Sequence, residues 1–518
     1  MEGHGTIMRK HHILTAVAAA AVFSLGASTL ALAGEESTSG GTFTYARSDS
    51  TTSFDLHQEI TENNAFAIDK VFESLVTFDN DGNIIDWLVE DHKISDDGLV
   101  YTFTLRDGLK FSDGTDVTAE DVKFSIERHL EVGGSLPIEA DVKSVEAVDE
   151  KTVEITLGTA YTPFLSELAN FSNGIIPKDF GGKTEEEFFK NPVGTGPFAV
   201  SEWDPSGDLT FVKNEYYWQE GKPYIDELVY KVVDDDNQAL NQLLAGEIDG
   251  IEDLSLSNAS NVDGNADTKT ATSFSYNVEE LFFNTLDEHF SDEHVRRALA
   301  MAIDRESLTK ALTFGYAEIA NTVLPRALLY QTNDTVNALS YDIDAAKEEL
   351  AQSAYPDGFD TTISIASGNN TRLQEAQIIQ AAGAQIGINI EINAQEISTF
   401  RSDFRDLNFS MMINSATADY PDANSIFAFQ VDPDGWSKCY WTSYNNETAA
   451  DLMRKGQVTP DGDERAAVYE ELQQILADEV PYIPLYNSEN VVGLRDNVEG
   501  FTVLPNGSVH FEDVYFEE

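Results

Sequence analysis

The stretch from residue 359 to residue 417 constrains the fold more than any other part of the chain, because two hydrophobic periods alternate along it. Three short segments have the alternation and β-branched residues of strands, and two segments between them have helical periodicity. In order, the segments are TTISIAS, TRLQEAQIIQAAGAQIG, INIEINA, TFRSDFRD and FSMMINSA. A strand, helix, strand, helix, strand order calls for parallel strands with right-handed crossovers. The sequence therefore predicts an α/β fold.

The loop after the third of these strands is the first candidate for a site. In open α/β sheets ligands bind beyond the carboxyl ends of the strands, and ATADYPD, residues 416–422, stands at such an end. Its carboxylates, Asp419 and Asp422, suit either acid and base chemistry or the capture of a positive charge. Asp422 can equally shape a turn with Pro421. Both interpretations of the pair remain open from these residues alone.

The length of the chain predicts more than one lobe. Single hydrophobic cores stop growing near ~250–300 residues, and this chain has 518. A mixed α/β pattern persists to about residue 275 and then changes character, and the last strands are expected to return to the first part of the chain. We therefore expect at least two lobes.

The charge is strongly acidic, with 91 aspartates and glutamates against 32 lysines and arginines. This balance argues against nucleic acid or an anionic membrane surface as a direct partner. It fits cationic or amine-bearing ligands, although a solvated surface adapted to salt explains spread-out acidity equally well. Charge alone names no ligand.

The N-terminus has the pattern of a secretory signal peptide. Arg9 and Lys10 precede an apolar stretch that ends in small residues, Ala31-Leu32-Ala33. Cleavage after Ala33 would leave a flexible leader, residues 34–41, with no cysteine for lipid attachment. The sole cysteine, Cys439, forms no internal disulfide. The sequence predicts an exported protein that is not membrane-anchored.

Other motif matches are incomplete. GTGPF at 194–198 lacks the lysine of a phosphate loop and indicates a turn. DNDGN at 79–83 resembles a calcium loop, but Ile84 stands where that loop needs glycine, which favours a hairpin turn and leaves calcium as an alternative. Beyond the N-terminal segment, no histidine pair has the i, i+4 spacing of a helical metal site. No metal or other cofactor is expected.

Five segments follow one another along the chain and carry a family resemblance. They are FDLHQEITENNAFAIDKVFESLVTFD; VYTFTLRDGLKFSDGTDVTAEDVKFSIER; NPVGTGPFAVSEW with FVKNEYYW; LFFNT with FSDEHVRRALAMAIDRESL; and DERAAVYEELQQILADEVPYIPLY. In this order they resemble solute-binding family 5, the large peptide- and nickel-type periplasmic binding proteins of ATP-binding-cassette importers.

The resemblance implies a two-lobed periplasmic-binding-protein fold, type II-like, with an extra subdomain in the first lobe. Lobe I would comprise residues 42–275 and the returning segment 487–518, and lobe II residues 276–486. Two hinge strands would join the lobes, with Phe283 and Asn284 on one and Leu485 and Tyr486 on the other.

The resemblance also implies the binding residues. In peptide-binding members an aspartate after a lobe II strand pairs with the ligand's α-amine, and Asp419 matches it. The backbone of Ser415, Ala416, Thr417 and Ala418 would pair with the peptide main chain. Arg372 lies one residue away from an arginine that dipeptide-type members use for the carboxylate. The aromatic residues expected to wall side-chain pockets are Tyr420, Trp436 and Trp441.

We therefore expect a monomeric, non-enzymatic periplasmic receptor that captures a short peptide and delivers it to the permease and ATPase complex of an importer. One alternative keeps the fold but changes the cargo to a nickel chelate, haem, an oligosaccharide or an opine-like compound. The other is a secreted hydrolase that uses Asp419 and Asp422.

Overall fold

The computed structural model describes residues 40–58, 61–80, 82–435 and 442–517. Within these ranges the strands are β1 (Thr42–Arg47), β2 (Val76–Phe78), β3 (Ile84–Asp86), β4 (Val89–Ile94), β5 (Val100–Leu105), β6 (Val142–Ala147), β7 (Thr152–Leu157), β8 (Phe198–Trp203), β9 (Leu209–Lys213), β10 (Glu227–Val232), β11 (Gly250–Ile251), β12 (Thr268–Phe283), β13 (Ala317–Ile319), β14 (Phe359–Ala366), β15 (Ile388–Gln395), β16 (Met411–Thr417), β17 (Tyr482–Arg495), β18 (Val498–Glu499) and β19 (Tyr515–Phe516).

Over the same ranges the helices are α1 (Glu62–Val71), α2 (Ala119–Val132), α3 (Phe164–Leu168), α4 (Glu185–Lys190), α5 (Asp236–Ala245), α6 (Leu256–Asp263), α7 (Glu293–Ala302), α8 (Arg305–Leu312), α9 (Ile343–Leu350), α10 (Asn370–Gln385), α11 (Ile397–Arg405), α12 (Asn424–Gln430), α13 (Glu447–Val458) and α14 (Asp463–Glu479).

A sheet of eleven strands runs through the described part of the chain. Its order is β15-β14-β16-β12-β17-β11-β1-β10-β9-β8, and β13 pairs with β17 outside this path. The strands of residues 359–417 occupy one end and strands that precede residue 252 occupy the other. The long strands β12 and β17 pair with each other between these ends and therefore connect them.

The alternating segments of residues 359–417 form the predicted parallel unit. Strand β14 pairs in parallel with β15 on one side and with β16 on the other, so that Ile363 lies opposite both Ile392 and Met411. Helices α10 and α11 make the two connections. Ile363 and Met411 are fully buried, which explains why these strands are rich in apolar residues.

A separate antiparallel sheet, in the order β4-β5-β7-β6, occupies residues 89–157. The alternation of VYTFTL places Tyr101, Phe103 and Leu105 in the core, where they pack with Val153 and Ile155 of β7. This sheet lies in the part of the chain where the resemblance implies an extra subdomain.

Several helix boundaries coincide with capping residues of the sequence. The Thr118 N–H donates to Asp121 Oδ2 (2.8 Å) at the start of α2. The Ser307 N–H donates to Asp304 Oδ1 (3.0 Å) at the start of α8. Gly246 ends α5 with a left-handed φ of 72°.

Two further boundaries depend on single residues. Asp292 caps α7 by accepting a hydrogen bond from the His294 N–H (3.0 Å). YIPLY and VVGL both lie within the single strand β17. Pro484 has no N–H for the sheet, and the pairing with β12 changes register beside it, which lets the strand continue.

The expected signal peptide, residues 1–33, and residues 34–39 of the expected leader lie outside the described residues. Gly40, near the end of that leader, is described, and its N–H donates to the Tyr224 carbonyl oxygen (2.7 Å). Among the residues that the structure describes, no helix is both long and apolar enough to cross a lipid bilayer.

Candidate functional site

Strand β16 leads directly into a cavity of about 430 Å³. Thr417, the last residue of the strand, and the next two residues, Ala418 and Asp419, line this cavity. Tyr276 and Asn277 of β12 line it beside them. The predicted loop therefore borders a concave space of the size that small ligands occupy.

The opposite walls come from α1 and from the C-terminal segment. Together with Asp419, the cavity is lined by titratable groups of these two segments and by Glu73, which follows α1: Glu62, Asp69, Lys70, Glu73, His510 and Glu512. Carboxylates outnumber basic groups in this lining. The cavity is therefore suited to a positively charged ligand group rather than to an additional anion.

The backbone of Asp419 is held from two directions. Its N–H donates to Ser425 Oγ (2.8 Å), and its carbonyl oxygen accepts a hydrogen bond from Asn170 Nδ2 (2.7 Å). Within the described ranges, no hydrogen bond or ion pair to its carboxylate is found. The backbone of Asp419 is thus fixed, and its carboxylate has no partner among the described residues.

The surroundings of Asp419 make its negative charge unfavourable in the empty cavity. The residue is accessible to water, yet protein atoms surround it densely because it lies inside the cavity. Burial and, secondarily, the Glu139 carboxylate raise the pKa of Asp419 to about 6. An ammonium group bound there would supply the missing counter-charge.

One edge of β16 is open next to this carboxylate. Strand β14 pairs with β16 only through Met411 and Met412, and no other described strand covers residues 413–417 on that side. The Ala418 N–H donates to the Tyr276 carbonyl oxygen, so by alternation the backbone groups of Ser415 and Thr417 face away from β12. These groups are available to an added strand.

Tyr420 is buried and does not line the cavity. Its hydroxyl lies 3.3 Å from the Tyr161 hydroxyl and accepts a hydrogen bond from Asn424 Nδ2 (3.2 Å). The structure thus places Tyr420 in a polar contact behind Asp419, not on the cavity wall where the sequence analysis expected it.

Arg372 is engaged by a neighbouring carboxylate. Its Nε donates to Glu279 Oε1 (2.6 Å), and one Nη donates to Glu279 Oε2 (3.1 Å) and to Ser415 Oγ (3.3 Å). Arg372 is also absent from the cavity lining. Arg372 is thus held by Glu279, and these contacts leave its second Nη group unused.

Asp422 has a different role from Asp419, although only three residues separate them. Arg465 of α14 holds both Asp422 oxygens, at 2.6 and 2.9 Å, and both side chains are buried. Asp422 also accepts a hydrogen bond from the Asn424 N–H (2.8 Å). A fully paired carboxylate is not free to act as a catalytic acid or base.

The structure describes some of the remaining predicted residues and not others. Trp436, Trp441 and Cys439 lie outside the described residues. The four predicted hinge residues, Phe283, Asn284, Leu485 and Tyr486, are buried at or beside the pairing of β12 with β17. Their role as a hinge remains a prediction.

Sequence reasoning missed the polar groups on the far wall. Glu73 is buried and accepts hydrogen bonds from Trp87 Nε1 (2.8 Å), Tyr217 Oη (3.0 Å) and Trp218 Nε1 (3.2 Å). Burial nevertheless raises the pKa of Glu73 to about 7. The available signal was the presence of charged residues on the otherwise apolar face of FAIDKVFESL.

Two basic groups on this wall are already paired. Lys70 Nζ lies 2.9 Å from Asp69 Oδ1 and donates to Ser508 Oγ (3.2 Å). His510 Nδ1 lies 2.8 Å from Glu512 Oε1, and this carboxylate raises the pKa of His510 although burial acts to lower it. Neither group is a free anion receptor.

In the described part of the chain, no group of three or more His, Cys, Asp or Glu side chains is placed to hold a metal ion. Asp79 and Asn83 lie between the paired strands β2 and β3, where Asp79 accepts a hydrogen bond from the Asn83 N–H (2.9 Å). Asp81 lies outside the described residues.

Comparison with known proteins gives a family match. The family model described as bacterial extracellular solute-binding proteins, family 5 Middle, matches residues 83–438. The glutathione-binding protein GsiB of Escherichia coli O1:K1 is 28% identical over 452 residues, covering 85% of this chain and 88% of the relative.

Solved structures resemble the whole fold. The periplasmic binding protein DppA of Helicobacter pylori, in complex with the peptide STSA, has a TM-score of 0.77 and 27% identity, covering 93% of this chain and 99% of its own. The binding protein AgaA of Agrobacterium tumefaciens R10, in complex with agropinic acid, has a TM-score of 0.77 and 26% identity, covering 92% and 99%.

Proposed function

The chain belongs to the bacterial extracellular solute-binding proteins of family 5, and on this basis we propose that it captures short peptides for an ATP-binding-cassette importer. It is a binding protein rather than an enzyme, as are its relatives. The ion pair between Asp422 and Arg465 gives the physical reason why the two carboxylates do not form a catalytic pair.

One observation carries the choice of peptides: the Asp419 carboxylate lies in the cavity with its backbone fixed and no partner among the described residues. A peptide's α-ammonium would satisfy it with charge-assisted hydrogen bonds. The ammonium would compensate the negative charge of Asp419. In the empty protein this charge is unfavourable, because the surrounding protein atoms partly remove it from water.

The open edge of β16 supports the same choice. A peptide lying along Ser415 and Thr417 would pair with backbone groups and add a strand to the sheet. Such pairing does not depend on side-chain identity, so it suits a receptor for peptides of varied sequence. Micromolar affinity, about −8 kcal/mol, is sufficient for capture and permits later release.

Delivery requires a conformational change that the ligand stabilises. We place the hinge at Phe283 and Asn284 on β12 and at Leu485 and Tyr486 on β17, where the pairing of these strands ends or changes register. A ligand that contacts both Asp419 and α1 would favour the closed state. The closed, loaded form would then dock on the membrane permease.

The proposed site of action is outside the cytoplasm. The family is described as extracellular, and residues 1–33 have the pattern of a signal peptide cut after Ala33. We propose that the mature chain works as a periplasmic monomer.

A thermal-shift screen tests the proposal with the mature chain. We expect di- to pentapeptides with free N-termini to raise the unfolding midpoint, because a ligand that binds only the folded state stabilises it. The same peptides carrying an N-acetyl group should raise it far less. Equal shifts from both forms would remove Asp419 as the amine anchor.

The same screen separates the alternative cargoes. A shift from an opine, a haem, an oligosaccharide or a nickel chelate, with none from any peptide, would keep the family role and overturn the peptide assignment. Cleaved peptide detected in the wells by mass spectrometry would favour the hydrolase instead.

A further inference from the structure

The cavity has a second acidic position at the start of α1. Glu62 lines the cavity, and within the described ranges its carboxylate has no hydrogen bond or ion pair. Burial and then the carboxylate of Asp253 raise the pKa of Glu62, whereas Arg47 acts to lower it. Glu62 and Asp419 thus both line this cavity, and Glu62 is also exposed to solvent.

The positive charge of Arg47 is already used by other groups. Its Nε donates to Glu252 Oε2 (2.9 Å), and its two Nη groups donate to Asn63 Oδ1 (2.9 Å) and to the Asn63 carbonyl oxygen (3.0 Å). Because Arg47 is paired with Glu252, its positive charge does not neutralise the neighbouring carboxylates. Glu62 and Asp253 therefore give this region an excess of negative charge.

No lining residue within the described ranges offers an unpaired cation to compensate. The basic groups of the lining are Lys70, paired with Asp69, and His510, paired with Glu512. A ligand that carries extra carboxylates would therefore meet negative charge without a receptor for it.

The general acidity of the chain does not account for this arrangement. A carboxylate on an open surface stays solvated and needs no partner, whereas Glu62 and Asp419 line one cavity, where a bound ligand would displace the water around them. Desolvated charges of one sign are unfavourable unless a ligand supplies the opposite charge.

We propose that the cavity selects peptides with a basic side chain, whose second positive charge is received by Glu62 while Asp419 receives the α-ammonium. This inference rests on the proposed peptide function and narrows it. Glutathione, which has two carboxylates and one ammonium, is disfavoured as a ligand even though a relative is named for binding it.

Titration calorimetry with the mature chain tests this specificity. The probes are Ala-Ala-Ala, its three single-lysine and three single-glutamate variants, and glutathione. At least one lysine peptide should bind about tenfold or more tightly than Ala-Ala-Ala, and its glutamate counterpart about tenfold or more weakly. Raising the salt concentration should reduce both differences.

The variant Glu62→Gln assigns the selectivity to a residue. It should reduce the lysine preference to about twofold or less, whatever its smaller effect on the affinity for Ala-Ala-Ala. The matched control is Glu391→Gln, at an exposed position of β15 that does not line the cavity. Unfolding midpoints of both variants establish that they are folded.

The outcomes distinguish this inference from the function on which it rests. If Ala-Ala-Ala and the lysine and glutamate peptides bind equally, the selectivity is overturned and the peptide function stands. A lysine preference that persists in Glu62→Gln overturns the role of Glu62. If no peptide binds, both proposals fail.

Discussion

At the scale of single residues, Asp419 and Asp422 show how position decides the role of a carboxylate. Both follow β16, but Asp419 lies in the cavity with no partner among the residues that the structure describes, and Asp422 lies in the core against Arg465. An unpaired carboxylate is available to a ligand, whereas a buried ion pair is needed to maintain the fold.

Replacement of Asp422 by Asn is expected to destabilise the protein. Among the described residues it leaves the buried Arg465 with Asp461 alone as an anionic partner, and breaking a buried pair costs about 3–5 kcal/mol. Urea unfolding should show this loss, and the matched variant Asp96→Asn, at an exposed turn, should not. Equal stability of the two variants would contradict the structural role of Asp422.

The pH dependence of binding is a second prediction at this scale. Only ionised Asp419 attracts an ammonium, so peptide affinity should be about tenfold lower at pH 5 than at pH 7 for a pKa of about 6. The stability of the empty protein should depend on pH in the opposite direction. The raised pKa of Asp419 stabilises the folded state below about pH 4, and this stabilisation is lost as the pH rises through about 6.

Calorimetric titrations at both pH values measure the change in affinity. In Asp419→Asn, the share of the pH-dependent change in affinity that comes from Asp419 should disappear, because the amide does not titrate. An identical pH profile in wild type and variant would show that another group controls binding.

At the scale of elements, the GTGPF segment fixes the end of α1 beside the cavity. The Gly196 N–H donates to the Val71 carbonyl oxygen (2.9 Å), so this turn supports α1 rather than a phosphate. A Cβ atom on Gly194 would lie 2.0 Å from the same oxygen, which only glycine avoids.

Gly194→Ala is therefore expected to lower the free energy of unfolding by about 1–3 kcal/mol, as overpacking does. Its control is Gly207→Ala, where the added Cβ would meet only the Asp204 side chain. Denaturant unfolding checks both variants. A Gly194→Ala protein as stable as its control would show that the contact relaxes without cost.

The same elements show what sequence patterns can and cannot predict. Periodicity predicted β14, α10, β15, α11 and β16, because this signal is local, and it placed Asp419 at the end of a strand. The pairs of Arg465 with Asp422 and of Lys70 with Ser508 join residues 43 and 438 positions apart. A local sequence pattern does not specify such distant partners. The polar contacts between α1 and the C-terminal segment at the cavity were therefore visible only in the structure.

At the scale of the whole molecule, β12 and β17 connect the two ends of the sheet, and the cavity lies beside them. Residues from both parts of the chain hold the loop after β16, as the contact of Asn170 with Asp419 shows. Ligand binding and relative movement of the two ends are therefore expected to be linked.

The net charge of −59 leads to a prediction at this scale. Repulsion among so many carboxylates destabilises the folded state and is screened by salt. Between about 0.05 and about 1 M NaCl the unfolding midpoint should rise by about 3 °C or more. The rise should be smaller near pH 4.5, where more carboxylates are protonated; no rise at neutral pH would contradict this account of the charge.

The central claim is that Asp419 receives a peptide's α-ammonium, and a calorimetric double-mutant cycle tests it most directly. Wild type and Asp419→Asn are each titrated with a tripeptide and with its N-acetyl form. Each change alone should cost at least about 2 kcal/mol of affinity, and the two should be non-additive by a similar amount. A coupling free energy within about 0.5 kcal/mol of zero would contradict the claim, because the two groups would then bind independently.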